Sequence, residues 1–448
     1  MAQPARPTSS PVADKLPVAP VHVLTRPLAR FLAIESAGGV VLLLCALAAL
    51  VLANSPAADA YQHFWHTRVS LEIGTFALGG ELGHFVVNDV LMTVFFFVVG
   101  LEIKRELVAG ELREWQKAAL PVVAAAGGMI VPAGIYMALR WGQPDFRGWG
   151  VPMATDIAFV VGVMALLGKR APFGLKIMLL SLAIADDIGA VLVIAVFYSS
   201  GLDWLMLGMA AYGLGVIYIL KRIGVRSILI YVFVGAYVWL AVYKTGVHPT
   251  VAGVVIGLMT PSAAWVRRDA LRLALVDLLG QFRESEADEV EDHDLQLLSF
   301  AARESVCPLE RLETVLHPWV GFVIMPVFAL ANAGVEIEAR TVADPVAVAV
   351  ALGLLVGKPV GIVLFSWLAV RAGVARLPDG VNWLTLLGGG CLAGIGFTMS
   401  LFVAELAFAG SEGHLSAAKI GILIGSALSA VVGAAVLIVQ KKPHDDRG

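Results

Sequence analysis

Charge is scarce in this chain. Only 15% of its 448 residues are Asp, Glu, Lys or Arg, against about 25% in a soluble domain, too few to cover a water-facing surface of this size. Cysteine is nearly absent. Cys45, Cys307 and Cys391 are far apart and odd in number, so they supply neither a disulfide framework nor a metal cluster. The net charge of −3 is spread thinly and leaves no basic stripe for nucleic acid. What the chain has in excess is apolar residues, 58% of the total, with a mean hydropathy of +0.83.

Those residues gather into runs. A bilayer core of about 30 Å needs about 20 apolar residues in a helix. Twelve candidate runs lie near 31–53, 83–103, 118–139, 150–168, 173–198, 203–220, 227–243, 246–261, 318–335, 344–369, 383–408 and 415–440. They are continuous, whereas a membrane barrel would show shorter alternating segments. The first run starts too far in and is too long for a cleaved signal, and it reads as a retained helix. Residues 1–25 are rich in Pro, Ala and Ser and read as a disordered tail. With an inner N-terminus and twelve alternating spans, 25 of the 32 basic residues lie inside and six lie outside. That asymmetry is the positive-inside signature, and it puts both termini, including the tail at 443–448, in the cytoplasm. The membrane region is then 26–442.

Two loops stand out. In 61–82, Val69, Leu71 and Ile73 alternate and a Gly79-Gly80 pair follows, which reads as a small external hairpin. Residues 262–317 form the longest inner loop, with an acidic run from Glu284 to Asp294 that reads as solvated surface.

The informative residues are ionisable groups deep inside apolar runs. Four qualify: Asp156, the adjacent Asp186 and Asp187, and Lys358. Each costs roughly 2.5–3.5 kcal/mol at a helix centre, so packing alone gives no reason to bear four. Carboxylates and backbone carbonyls are the oxygen ligands that hard cations prefer. Two neighbouring carboxylates in a low-dielectric site repel each other when both are ionised. A titrating carboxylate there can hold either a proton or a sodium ion, and competition for one site couples the two fluxes. Adjacent helical residues point about 100° apart, so one aspartate binds the ion while the other meets Lys358. Structural readings stand beside these: Thr155-Asp156 also fits a helix N-cap, and an Asp186–Lys358 salt bridge would be complete without Asp187.

Glycine and proline add a second clue. Pro152 precedes Asp156, and the eleventh run holds Gly388-Gly389-Gly390 and then Gly394-Ile395-Gly396-Phe397-Thr398-Met399-Ser400. Interrupted helices in corresponding places of two halves point to a transporter site at mid-membrane, although such glycines also serve tight helix packing. Asp156 would offset positive half-helix ends and Lys358 negative ones. The Gly-x-Gly-x-x-Ala at 388–393 lacks the strand and helix that a nucleotide site needs.

Several strings together resemble the NhaA sodium/proton antiporter family: Ala-Thr-Asp-Ile-Ala-Phe, Leu-Ala-Ile-Ala-Asp-Asp-Ile-Gly-Ala, Val-Gly-Leu-Glu-Ile-Lys-Arg-Glu-Leu, Leu-His-Pro-Trp-Val, Gly-Lys-Pro-Val-Gly and Gly-Ile-Gly-Phe-Thr-Met-Ser. They cover about residues 30–440. The resemblance implies an all-α membrane protein of 12 transmembrane helices with inverted-topology repeats, pairing helices 3–5 with 10–12, and two crossed discontinuous helices, 4 and 11. It implies electrogenic, pH-regulated exchange of Na+, and of Li+, for external protons by alternating access in a bacterial inner membrane. No cofactor and no enzymatic reaction are implied. Asp186 and Asp187 match the family's ion-binding aspartates, Asp156 and Thr155 its crossing residues, and Lys358 its buried lysine. Glu102, Lys104, Arg105 and Glu106 match a cytoplasmic cluster linked to pH response, and His248 another residue so linked. For the cluster, juxtamembrane anchoring is the competing reading, and for His248 a packing role. The 61–82 hairpin matches the family's homodimer contact. The long acidic loop and Thr314, where members often carry histidine, depart from the family and bear on the pH set-point.

Three rivals remain. An intramembrane aspartyl protease needs Tyr-Asp and Gly-x-Gly-Asp, and neither string occurs. A sodium-coupled symporter needs a roomier polar pocket, and a channel needs no titratable pair.

Overall fold

A computed structural model describes residues 35–439 except 74–75, 200, 226, 265, 267–268, 270, 274 and 277–291. The expected tails at 1–25 and 443–448 lie outside the described residues, as does the acidic run up to 291. Helix dominates. In chain order the elements are α1 (Glu35–Ala53), α2 (Ala58–Trp65), β1 (Arg68–Ile73), β2 (Phe76–Glu81) and α3 (Leu82–Ala109). Then come α4 (Trp115–Leu139), the 3-10 helix α5 (Pro144–Met153), α6 (Ile157–Leu167), α7 (Phe173–Phe197), α8 (Trp204–Ile223), α9 (Ile228–Tyr243) and α10 (Thr250–Met259). The last are α11 (Asp292–Glu304), α12 (Pro308–Asn332), α13 (Ala339–Val342), α14 (Pro345–Arg371), α15 (Trp383–Ala393), α16 (Phe397–Ala407) and α17 (Glu412–Val439).

Among the described residues seven helices are long and apolar enough to cross a membrane, and up to ten spans result if each bent pair counts once. The bent pairs are α1 with α2 (117°), α5 with α6 (41°) and α15 with α16 (49°); α9 and α10 are shorter apolar helices. Large apolar side chains face outward along these helices, Leu166 at 87% exposure and Val439 at 81% among them, as a lipid-facing surface requires.

Inside, helices approach through small residues, because lipid offers no hydrophobic drive and close backbone contact must supply the packing. Gly127 of α4 and Gly361 of α14 lie so close that a Cβ on either would strike the other's backbone. Gly100 of α3 meets Val254 and Gly257 of α10 in the same way.

Proline shapes two spans. Pro326 in α12 and Pro359 in α14 each follow a π-helical turn, at Val320–Ile324 and Gly353–Gly357. A proline lacks the amide that would bond four residues back and crowds that carbonyl, and the wider π turn accommodates the defect. Lys358 stands directly between such a turn and its proline.

The structure revises three boundaries. The run at 318–335 belongs to a helix that starts at Pro308, so the 262–317 segment contains α11 and the first turns of α12. Those turns are amphipathic and escape a count of apolar residues. In 61–82 the antiparallel pair spans Arg68↔Glu81 to Ile73↔Phe76, while residues up to Trp65 belong to α2. In the eighth run only Thr250–Met259 is helical, which leaves His248 ahead of the helix.

Candidate ion-binding site

The two inner breaks meet. The Asp156 amide donates to the Ile395 carbonyl at 2.7 Å, which joins the gap between α5 and α6 to the gap between α15 and α16. Asp156 is the N-cap of α6 and accepts from the Phe159 amide at 3.3 Å. Its other oxygen accepts from the Thr398 amide at 3.1 Å and from the Thr398 hydroxyl. One carboxylate thus serves the positive ends of two half-helices, α6 and α16, which would otherwise leave amides unpaired in a buried place. The capping role and the crossing role of Asp156 are the same contacts.

Lys358 serves the opposite polarity. It is fully buried, and its ammonium donates to Asp186 Oδ2 at 2.6 Å and to Thr155 Oγ1 at 2.7 Å. Thr155 in turn donates to the Ala393 carbonyl at 3.0 Å, the negative end of α15. Thr155 therefore passes the influence of Lys358 to a half-helix terminus that the lysine does not touch.

Asp186 and Asp187 sit mid-way along α7 at 1% and 4% exposure, and neighbouring positions on a helix aim them apart. Lys358 engages only one oxygen of Asp186. Asp186 Oδ1 is buried with no hydrogen-bond partner among the described residues, and Asp187 has neither a hydrogen bond nor an ion pair there. The charged groups that face Asp187 are Asp186, Glu102, Lys358 and Asp156. Uncommitted carboxylate oxygen next to a matched ion pair is the chemistry that a small hard cation or a proton would use.

The candidate pH-response residues do not form one group. Glu102 comes within 3.8 Å of His317 on α12, and Arg105 pairs with Glu313 on the same helix. Lys104 instead donates to the Leu258 carbonyl at the end of α10, 2.6 Å away. Glu106 accepts from the Glu111 amide at 3.0 Å and closes the turn after α3. His248 precedes the other end of α10, a helix length of about 15 Å away. Its Nδ1 is 2.8 Å from Thr250 Oγ1. Thr314 turns its hydroxyl back onto the Glu310 carbonyl of its own helix at 2.7 Å, so His317, not position 314, faces Glu102.

Sequence reasoning missed some of this. Thr398 is the second donor on Asp156, and its signal was its place just after the Gly394-Ile395-Gly396 gap. Asp89 is buried at 2% exposure near the start of α3, inside an apolar run but too near its end to be counted as an interior charge.

A family model described as Na+/H+ antiporter 1 matches residues 29–437. The chain belongs to this family. Curated relatives agree along almost the whole length. The Na(+)/H(+) antiporter NhaA of Rhodopirellula baltica is 52% identical over 430 residues, covering 94% of this chain and 96% of that one. Na(+)/H(+) antiporter NhaA 2 of Acidiphilium cryptum is 48% identical over 431 residues, 96% and 95% of the two chains. Na(+)/H(+) antiporter NhaA 2 of Vibrio vulnificus is 45% identical over 421 residues, 94% of each. The chain is thus a multi-pass membrane protein of the NhaA Na+/H+ antiporter family, a family of transporters.

Proposed function

We propose that this antiporter extrudes Na+, and Li+, in exchange for a larger number of external protons, with Asp186 and Asp187 as the shared binding site. The observation that carries the reading is the half-engaged pair: Lys358 holds Asp186 Oδ2 while Asp186 Oδ1 and Asp187 stay uncommitted. A cation entering between the two aspartates needs both ionised, so protons leave as it binds. Asp187 releases its proton to make room for the ion, and Lys358, which loses Asp186 to the ion, releases a second, so two protons leave for one monovalent cation and the exchange is electrogenic. The empty site carries uncompensated charge and is costly to move through a low-dielectric core, which discourages a leak. The paired breaks give a place where small movements of half-helices expose the site alternately to each side, as inverted-repeat transporters do.

The same reading takes the chain as twelve spans of inverted repeats, crossed at α5–α6 and α15–α16, in a bacterial inner membrane with both termini cytoplasmic. It takes β1–β2 as an external hairpin that pairs with a second copy. Regulation by pH falls to the cytoplasmic cluster, where Glu102 and Arg105 of α3 face His317 and Glu313 of α12. The experiment is sodium/proton exchange by purified protein in liposomes, scanned across pH. Sodium-driven proton flux is expected from the wild type and none from Asp187→Asn, with both proteins inserted. Normal exchange by Asp187→Asn defeats the assignment.

A further inference from the structure

The first turns of α3, Leu82–Leu91, are π-helical. In an α-helix, residues five apart point about 140° away from one another. In a π-helix, whose bonds run from i to i+5, the wider turn brings these two positions much nearer the same side. The unusual winding therefore brings His84 and Asp89 onto one face. His84 Nδ1 is 3.4 Å from Asp89 Oδ2, with the imidazole 66% exposed and the carboxylate 3% exposed. On the other side, His248 Nε2 is 3.6 Å from Asp89 Oδ1, and its Nδ1 is occupied by Thr250. Asp89 Oδ2 is nevertheless without a hydrogen bond among the described residues. A buried carboxylate oxygen without a donor is costly, and π turns recur at functional sites.

We propose that Asp89 is a second proton-holding site, loaded from the hairpin side through His84, and separate from Asp186 and Asp187. The half-wet imidazole takes a proton from solvent. Its Nδ1–H bond then breaks as Asp89 Oδ2–H forms, either directly after a rotation of a few tenths of an ångström or through one water. The imidazolium and carboxylate charges cancel in that step. His248, held by Thr250, supports the ionised carboxylate. Its ring packs edge-on against Phe402 of α16 at 5.2 Å between centroids, one turn beyond the Thr398 that grips Asp156. The other charged or titratable groups facing the cluster are Glu81 at the end of β2, Tyr243 at the end of α9 and Glu405 of α16, the last paired with Lys419 at 2.8 Å. The buried Asn88–Asn332 amide pair, 2.9 Å apart at its closer contact, fixes the neighbouring turn to α12. The external placement of this site rests on the orientation proposed above.

The test uses the full chain in liposomes of known orientation, with pH varied on one side at a time. For His84→Gln and Asp89→Asn the apparent KM for protons on the hairpin side is expected to rise about threefold or more, with the maximal rate recovered in saturating acid. The KM for sodium at the opposite side should not move. A fall in maximal rate at every pH, as a purely structural role would give, overturns the proposal. So does an unchanged proton KM, or a shift seen only when the opposite side is titrated. His84→Gln alters an exposed side chain, so it carries the test even if Asp89→Asn does not fold. Loss of exchange in Asp187→Asn is scored separately, so failure at Asp89 leaves the central site standing.

Discussion

Between α5 and α6 the chain supplies its own acid, Asp156, at the break, while between α15 and α16 it supplies no charge at all. The first gap satisfies its own helix end through Phe159 and then reaches across to Thr398. The second offers uncharged groups alone, the Ala393 and Ile395 carbonyls and the Thr398 amide and hydroxyl, and each finds its partner on the first gap. Lys358 adds the cation that the carbonyl end of α15 lacks, through Thr155. The difference teaches that neither interrupted span is complete by itself. Broken backbone is tolerated at membrane depth only where protein satisfies it, and here each break is the other's solvent.

The comparison can be broken most severely at Lys358. Lys358→Met leaves Asp186 buried without its cation, and removing one partner of such a pair costs about 3–5 kcal/mol. Thermal unfolding in detergent should show a large drop, and adding Asp186→Asn to the same protein should recover part of it. If the double variant is no more stable than Lys358→Met, the pair does not act as a unit.

Asp156→Ala is the next largest change. It strips the acceptor from two helix N-termini and should cost about 2–4 kcal/mol by the same measurement. Thr398→Val removes only the hydroxyl donor and should cost about 1 kcal/mol. The ratio sharpens the contrast between the gaps: equal losses would mean that the Thr398 hydroxyl contact alone counts and that the amides of α6 and α16 gain nothing from Asp156.

Much of this centre was legible in the sequence because lipid makes charge expensive. Asp156, Asp186, Asp187 and Lys358 stand out in apolar runs for that reason, and a helical spacing of about 100° already divides the two aspartates between different partners. Asp89 escaped because depth along a helix depends on where the span begins. The π turn that draws it toward His84 leaves no mark in hydropathy. The charged first turns of α12 escaped for a related reason: Glu310, Arg311 and Glu313 lower the apolar count although the segment is helical from Pro308. Gly127 and Gly361 were readable as small residues, but nothing in one chain's order says that they face each other.

The central claim is that sodium and protons displace one another at Asp186 and Asp187. The most direct measurement is proton release from the purified wild-type protein in weakly buffered detergent on addition of sodium, with choline as the control cation. The account predicts stoichiometric release that saturates with sodium and shrinks as the solution becomes either strongly acid or strongly alkaline. Saturable sodium binding with no proton released at any pH would contradict it.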